Sequence, residues 1–142
     1  MTSRYHVFEV LQAELGGSCP EEVLREVSDR LAAWKPAPFL FFRFCSYPAP
    51  GAPGDRACEL HVAVLVGDGP GALLDVRAAS DGFSESLIPL RAIDRVRLVR
   101  KPDRTQIEIR HGDCISWLER KEDDTKGADL EAFLVELQRA IA

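Results

Sequence analysis

The sequence predicts an α+β protein: a seven-stranded antiparallel meander curled into a partly open barrel, closed by a C-terminal helix and preceded by N-terminal helices. Three observations predict it. Residues up to about 35 repeat their apolar side chains at helical spacing, and residues 39–120 break into short apolar or alternating runs separated by turn residues. Residues 127–141 then return to one amphipathic stripe. A chain of 142 residues suits one domain, and at that size folding buries roughly 68–70% of the unfolded surface, enough for a core without staples. Apolar residues at 46% and charged residues at 29% exclude a disordered chain. A net charge of −5 argues against general binding to nucleic acid or to an anionic membrane, leaving only a local patch for such work.

The elements follow in order. SRYHVFEVLQAEL carries Phe8, Leu11 and Leu15 on one face and stops at Gly16-Gly17, which predicts a helix over 5–15, with a short strand through Tyr5–Val10 as the competing reading. SCPEEVLREVSDRLAAW (18–34) opens with a capping box, Ser18 to Glu21, and has Pro20 in its first turn. Val23, Val27, Leu31 and Trp34 form its stripe, and Pro36 ends it. Residues 1–36 are thus an N-terminal helical extension, and residues 37–142 the meander with its helix. The predicted strands are 39–46, 58–66, 72–78, 84–88, 94–101, 104–110 and 114–120. YPAPGAPGDRA is a loop, GDGPG and ASDG are turns, and Pro89 implies a kink or edge position followed by a tight turn through Arg91–Ile93. Leu130, Phe133, Leu134, Leu137 and Ile141 form the stripe of the last helix, with Asp129 and Glu131 at its start.

The stretch RVRLVRKPDRTQIEIR (95–110) holds Arg95, Arg97, Arg100, Lys101, Arg104 and Arg110. Its turn chemistry is Lys101-Pro102-Asp103-Arg104, so opposed residues have numbers adding to 205. Leu98 then faces Ile107 and Val96 faces Ile109 on one side, while Arg97 faces Glu108 on the other. The basic residues are the polar half of an alternating ribbon, and Arg95 opposite Arg110 is the pairing at which an anion can be recruited. For the next strand, CISWLER, a three-residue loop is preferred, because it sets Ile115 beside Ile109 and buries Trp117 beside Ile107.

No constellation reads as catalysis or metal binding. HGDC (111–114) places His, Asp and Cys together, but residues flanking one turn are expected to splay, and a nucleophile needs an oriented base within reach. Cys58 and His61, three apart on a strand, point to opposite faces. Cys45 and Cys58 are expected to be core thiols, neighbouring each other at most across adjacent strands. GDGPG lacks the lysine of a phosphate loop and leads into a strand. No enzyme, cofactor or metal is expected. Cys19, Cys45, Cys58 and Cys114 form no C-x-x-C pair, the first residues lack a signal-peptide pattern, and the reading expects free thiols in the cytoplasm. Trp34, Phe39, Phe41, Phe42 and Phe44 are expected mostly in the core.

The order of seven strands and one helix, with the transition IPLRAIDRVRL and the terminal ADLEAFLVELQRAI, resembles a pleckstrin-homology-like (PH-like) domain, particularly its bacterial relatives, over residues 39–141. In the lipid-binding branch the first inter-strand loop carries several Lys and Arg. The matching loop here, SYPAPGAPGDRA, has Arg56 alone beside Asp55, a departure from that pattern. Other members bind peptides between a sheet edge and the C-terminal helix. The resemblance therefore implies a non-enzymatic cytoplasmic interaction module whose partner is another protein or a second copy, not nucleic acid or membrane, with its oligomeric state left open. The alternatives are a binder of phosphate-bearing molecules or lipid headgroups through Arg95, Arg97, Arg100, Lys101, Arg104 and Arg110, and a secretion-chaperone-like dimer.

Overall fold

The computed structural model describes residues 4–34, 36–49, 51, 54–67, 71–79 and 82–141, without the side chains of 4–6 and 37–39. The centres of the two expected turns, at 68–70 and 80–81, and the expected core side chain of Phe39 lie outside the described residues. The first segment is helical, α1 (Arg4–Leu15), and it buries Val7, Leu11 and Leu15, with Phe8 packed beside them. The second helix, α2 (Glu21–Ala32), starts later than the capping box requires: Pro20 is its N-cap residue and no side chain caps it. The Ser18 N–H donates back to the Leu15 carbonyl at 3.0 Å, so Ser18 belongs to the turn that closes α1. The buried stripe of α2 is Leu24, Val27 and Leu31. Trp34 falls beyond the helix and is 42% exposed, a correction to its expected place in the core.

Among the described residues eight strands follow: β1 (Pro36–Pro48), β2 (Arg56–Val66), β3 (Ala72–Ala79), β4 (Gly82–Pro89), β5 (Ile93–Lys101), β6 (Arg104–His111), β7 (Cys114–Lys121) and β8 (Lys126–Gly127). The last element is α3 (Leu130–Ile141). All pairings are antiparallel, in a five-stranded sheet ordered β4-β3-β2-β1-β8 and a three-stranded sheet ordered β5-β6-β7. The sheets do not close into a barrel, which corrects the expected architecture and its count of seven strands. The reason is local. The two-residue β8 pairs with β1 through Arg43↔Gly127 and Phe44↔Lys126, taking the edge a closing strand would need. Pro89 ends β4, an edge strand, and a 3-10 turn at Leu90–Ala92 carries the chain into β5.

Alternation divides the five-stranded sheet between two apolar clusters. Phe42, Phe44, Leu60, Val62, Val64, Leu74 and Val76 face α1 and α2. Phe41, Ala63, Leu73 and Ile88 face the other way, toward Ile107, Ile109 and Leu118 of the three-stranded sheet and Leu130, Phe133 and Leu137 of α3. Phe133 is fully buried, its ring 6.0 Å from that of Phe41. Asp129 caps α3, its carboxylate accepting from the Glu131 N–H at 2.9 Å.

The β5–β6 register has the predicted sum, with Leu98↔Ile107, Arg97↔Glu108 and Arg95↔Arg110. The β6–β7 register does not. Ile107 faces Leu118, Glu108 faces Trp117 and Arg110 faces Ile115, through a two-residue Gly112-Asp113 loop. Gly112 sits at φ +60°, where a residue without Cβ is least strained, and its N–H donates to the Asp94 carboxylate at 3.1 Å. The face rule decides the outcome: this register buries Leu118 against Ile107 and turns Ile115 and Trp117 outward. Leu118→Ala is therefore expected to cost about 2–5 kcal/mol, and Ile115→Ala to stay within about 0.5 kcal/mol of the parent. Urea unfolding of the two variants measures the difference, and the reverse ranking would restore the three-residue loop.

Candidate functional site

The six basic residues of 95–110 do not act as one group. Arg100 lies on the inner side of the ribbon and ion-pairs with Glu131 of α3. Arg104 is held by Asp103 at 2.8 Å and Glu119 at 3.4 Å, and Lys101 is exposed at the hairpin end opposite Arg104. The remaining three converge. Arg97 donates through Nε and Nη2 to the Glu108 carboxylate at 3.1 and 2.9 Å, Arg95 approaches the same group at 3.5 Å and Arg110 at 4.0 Å. Glu108 is buried, with a side chain 4% exposed, whereas the three guanidinium-bearing side chains are about half exposed. Alternation puts all four on the outer face of the three-stranded sheet, together with Ile115 and Trp117. One carboxylate thus answers three guanidiniums, and this cluster keeps an excess of two positive charges.

Beside this face runs the outer edge of β5, which pairs only with β6 among the described residues. Under that edge lies a trough of about 210 Å³ between β5 and the end of α3. Its apolar lining is Ile93, Val96 and Ile141, and Asp94, Arg95 and Gln138 form the polar part.

A second concavity, of about 290 Å³, opens between the β3–β4 corner and β7 and is lined by Asp75, Arg77, Ser84, Ser86, Ser116 and Trp117 among others. Behind it, His61 Nε2 lies 2.5 Å from Asp75 Oδ1, but neither atom meets its partner in hydrogen-bonding geometry. The imidazole also packs edge-on against Phe41, centroids 5.9 Å apart. Sequence reading did not single out this pair, because the two residues are separated by fourteen positions and are joined only by the β2–β3 register. Nε2 of His61 faces a carboxylate and not a hydroxyl or thiol, so the pair does not form the nucleophile-activating contact that acyl transfer needs.

The thiols and His111 are placed as follows. His111 and Cys114 stand directly opposite each other across the Gly112-Asp113 loop, contrary to the expected splaying. His111 Nε2 nevertheless engages Ser116 Oγ at 2.8 Å. Cys58 and His61 do point to opposite faces, Cys58 toward the helices. Cys45 faces Glu59 and Cys58 faces Ser46, so those thiols are not cross-strand neighbours. Cys58 instead neighbours Cys19, whose thiol is pushed up to about 12 by burial first and by Cys58 second. Burial raises Cys45 and Cys58 as well, which makes all three poor nucleophiles. Among the described residues no group of three or more His, Cys, Asp or Glu is arranged to hold a metal ion, and no helix is long and apolar enough to cross a membrane.

A buried charge cluster elsewhere was not foreseen. Arg43 Nε and Nη2 donate to Asp124 at 3.0 and 2.5 Å, and Glu59 lies 3.4 Å from Nη1. The same Asp124 carboxylate accepts from Arg120 at 3.2 Å and from the Lys121 backbone N–H at 2.9 Å. A Cβ at Gly127 would overlap the Arg120 guanidinium, so glycine in β8 leaves room for that side chain. Comparison with protein-family models, curated proteins and solved structures finds no match to this chain.

Two outcomes follow. Asp124→Asn removes the bidentate, fully buried charge partner of Arg43, leaving it only Glu59 at 3.4 Å, and is expected to cost about 3–5 kcal/mol, measured by denaturant unfolding. Hydrogen bonding from Arg97, opposed by burial and aided by Arg95, holds the Glu108 carboxyl below the ordinary carboxylate range. Its contribution is complete above the unfolded-state value of about 4.3 and is lost as pH falls through the lower folded-state value. Glu108→Gln should therefore lower Tm at pH 7, with the gap to the parent closing in acid. A gap that stays constant down to pH 2 would contradict the assignment.

Proposed function

We propose that this chain is a non-enzymatic docking module that takes up an extended, acidic segment of another protein along the free edge of β5. The observation that carries the proposal is the arrangement on either side of that edge. Arg95, Arg97 and Arg110 share the single carboxylate of Glu108 on the outer face, and the trough of Ile93, Val96 and Ile141 lies on the inner one. A strand added beside β5 gains main-chain hydrogen bonds, and its side chains alternate between the two faces. Acidic residues then meet the uncompensated guanidiniums, and apolar residues fill the trough under α3. Unlike charge across such an interface accelerates encounter and selects the partner.

The same reading takes residues 37–142 as a PH-like domain. Support comes from the order of four antiparallel strands, then three, then a helix capped by Asp129, with β8 as an addition. The four free cysteines suit a reducing, cytoplasmic setting. The basic cluster also suits a phosphate-bearing ligand, and the experiment separates the two.

The full chain is titrated, by fluorescence polarisation, with eight-residue peptides alternating Glu or Asp with Val, Ile or Leu, and in parallel with inositol hexakisphosphate and with vesicles containing phosphatidylserine. Saturable peptide binding is expected, weakening as salt rises and falling at least about tenfold for Arg95→Glu/Arg97→Glu. Amide shift changes should concentrate in β5 and the last turns of α3. Binding of the phosphates or vesicles with no response to peptides, or peptide affinity indifferent to salt, would overturn the proposal.

A further inference from the structure

We propose that β4 is the interface of a homodimer, in which two copies join their five-stranded sheets edge to edge across a two-fold axis at Glu85. Two of the other sheet edges are protected from such pairing. The far side of the same sheet is blunted by β8, only two residues long, and β5 carries Arg95, Arg97, Arg100 and Lys101. A two-residue strand offers too little ladder to extend, and a row of like charges repels a second copy of the same edge while leaving it open to an acidic segment. β4 has neither. It is eight residues long, GFSESLIP, pairs only with β3 among the described residues, and has no Lys or Arg.

Its single charge is already answered. Arg30 of α2 reaches Glu85 at 2.6 Å, and its guanidinium lies 4.9 Å from the centre of the Phe83 ring. On either side of Glu85, on the same face, Phe83 and Leu87 are 39% and 43% exposed. The edge therefore offers an apolar–neutralised–apolar triplet alternating with Ser84 and Ser86.

That triplet is complementary to itself. Directly opposed residues of an antiparallel pair lie on the same face, so in a two-fold β4–β4 contact their numbers must add to an even total. With a total of 170, Phe83 faces Leu87 of the partner subunit, Ser84 faces Ser86 of the partner subunit, and each contact occurs twice, as an isologous interface requires. Glu85 meets its own copy at the axis, the like-charge contact that would forbid this register if Arg30 did not hold each carboxylate. A total of 172 sets Glu85 against Leu87 and Phe83 against Pro89, losing both apolar pairs. In the favoured register Pro89, which has no N–H to donate, lies outside the 83–87 ladder, so it removes no bond. A second copy is thus the occupant whose side chains the strand itself specifies. This surface is separate from the β5 edge, and a dimer leaves that edge free.

The test is sedimentation equilibrium of the full chain from about 1 µM to about 500 µM, since self-association depends on concentration. The mass is expected to rise from 15.8 kDa toward twice that value. Phe83→Lys/Leu87→Lys places charges on the free edge and should sediment as one chain throughout, with an unchanged circular dichroism spectrum. Leu87→Glu alone serves as the milder variant if the double one fails to fold. In concentrated parent protein the amides of 83–87 should exchange more slowly than in dilute protein or in the variants. Arg95→Glu/Arg97→Glu should dimerise like the parent, which separates failure here from failure at β5. A parent that stays a single chain at every concentration overturns the proposal, as does a Lys variant that still dimerises or exchange protection that maps to another strand.

Discussion

The buried ion pair of Arg43 and Asp124 is the constraint on which the relation between the two sheets depends. Arg43 stands in the middle of β1 on the side facing the second sheet, and Asp124 lies in the segment leaving β7, with a side chain that is fully buried. Two charges withdrawn from water this far are tolerable only if every lone pair and proton is answered. Here Arg43, Arg120 and the Lys121 N–H converge on one carboxylate, while Glu59 takes the remaining side of the guanidinium. This cluster turns the chain back after β7. The Thr125 N–H then donates to the Phe44 carbonyl and the Ala128 N–H to the Phe42 carbonyl, which seats β8 on β1. From there the chain enters α3 at Asp129, in position for Phe133 and Leu137 to seal the core between the sheets.

Much of this was legible because the periodic signal is local. The stripe through Leu130, Phe133 and Leu137 marks its helix and its buried face unaided, and Pro102-Asp103 fixes the β5–β6 register without help from the rest of the chain. Where the signal is long-range the sequence is silent. Arg43 reads as one polar residue among aromatics, and nothing nearby indicates a partner 81 positions on. β8 is too short to carry any period. The β6–β7 register is where the sequence misleads, because by size alone a buried indole outweighs a buried leucine. The strand is oriented by its two-residue loop, and Trp117 can border an outer face while Leu118 fills the inner one. The same slip concealed the site: only with Trp117 and Ile115 turned outward does the Arg95, Arg97 and Arg110 cluster have apolar neighbours.

Two of the sheet edges, β4 and β5, divide their work by charge. β5 is lined with guanidiniums that outnumber their carboxylates locally, so like charge disfavours self-pairing there, and because the molecule is acidic overall the attraction of acidic visitors acts only at short range. β4 carries one charge and has it neutralised from α2, leaving an edge that discriminates by side-chain shape and face parity. The helices therefore do more than cover apolar surface: through Arg30, α2 sets the electrostatic character of the strand beside it.

The placement of β2 has a wider consequence. From Leu60 to Ala63 every one of its residues is buried, with even positions against α1 and α2 and odd ones toward α3 and the second sheet. This stretch lies in the middle layer of three, wetted on neither side. Substitutions there have no solvent-facing position to escape to, so tolerance to change in this molecule should be lowest along a single central ribbon and should grow outward to both rims.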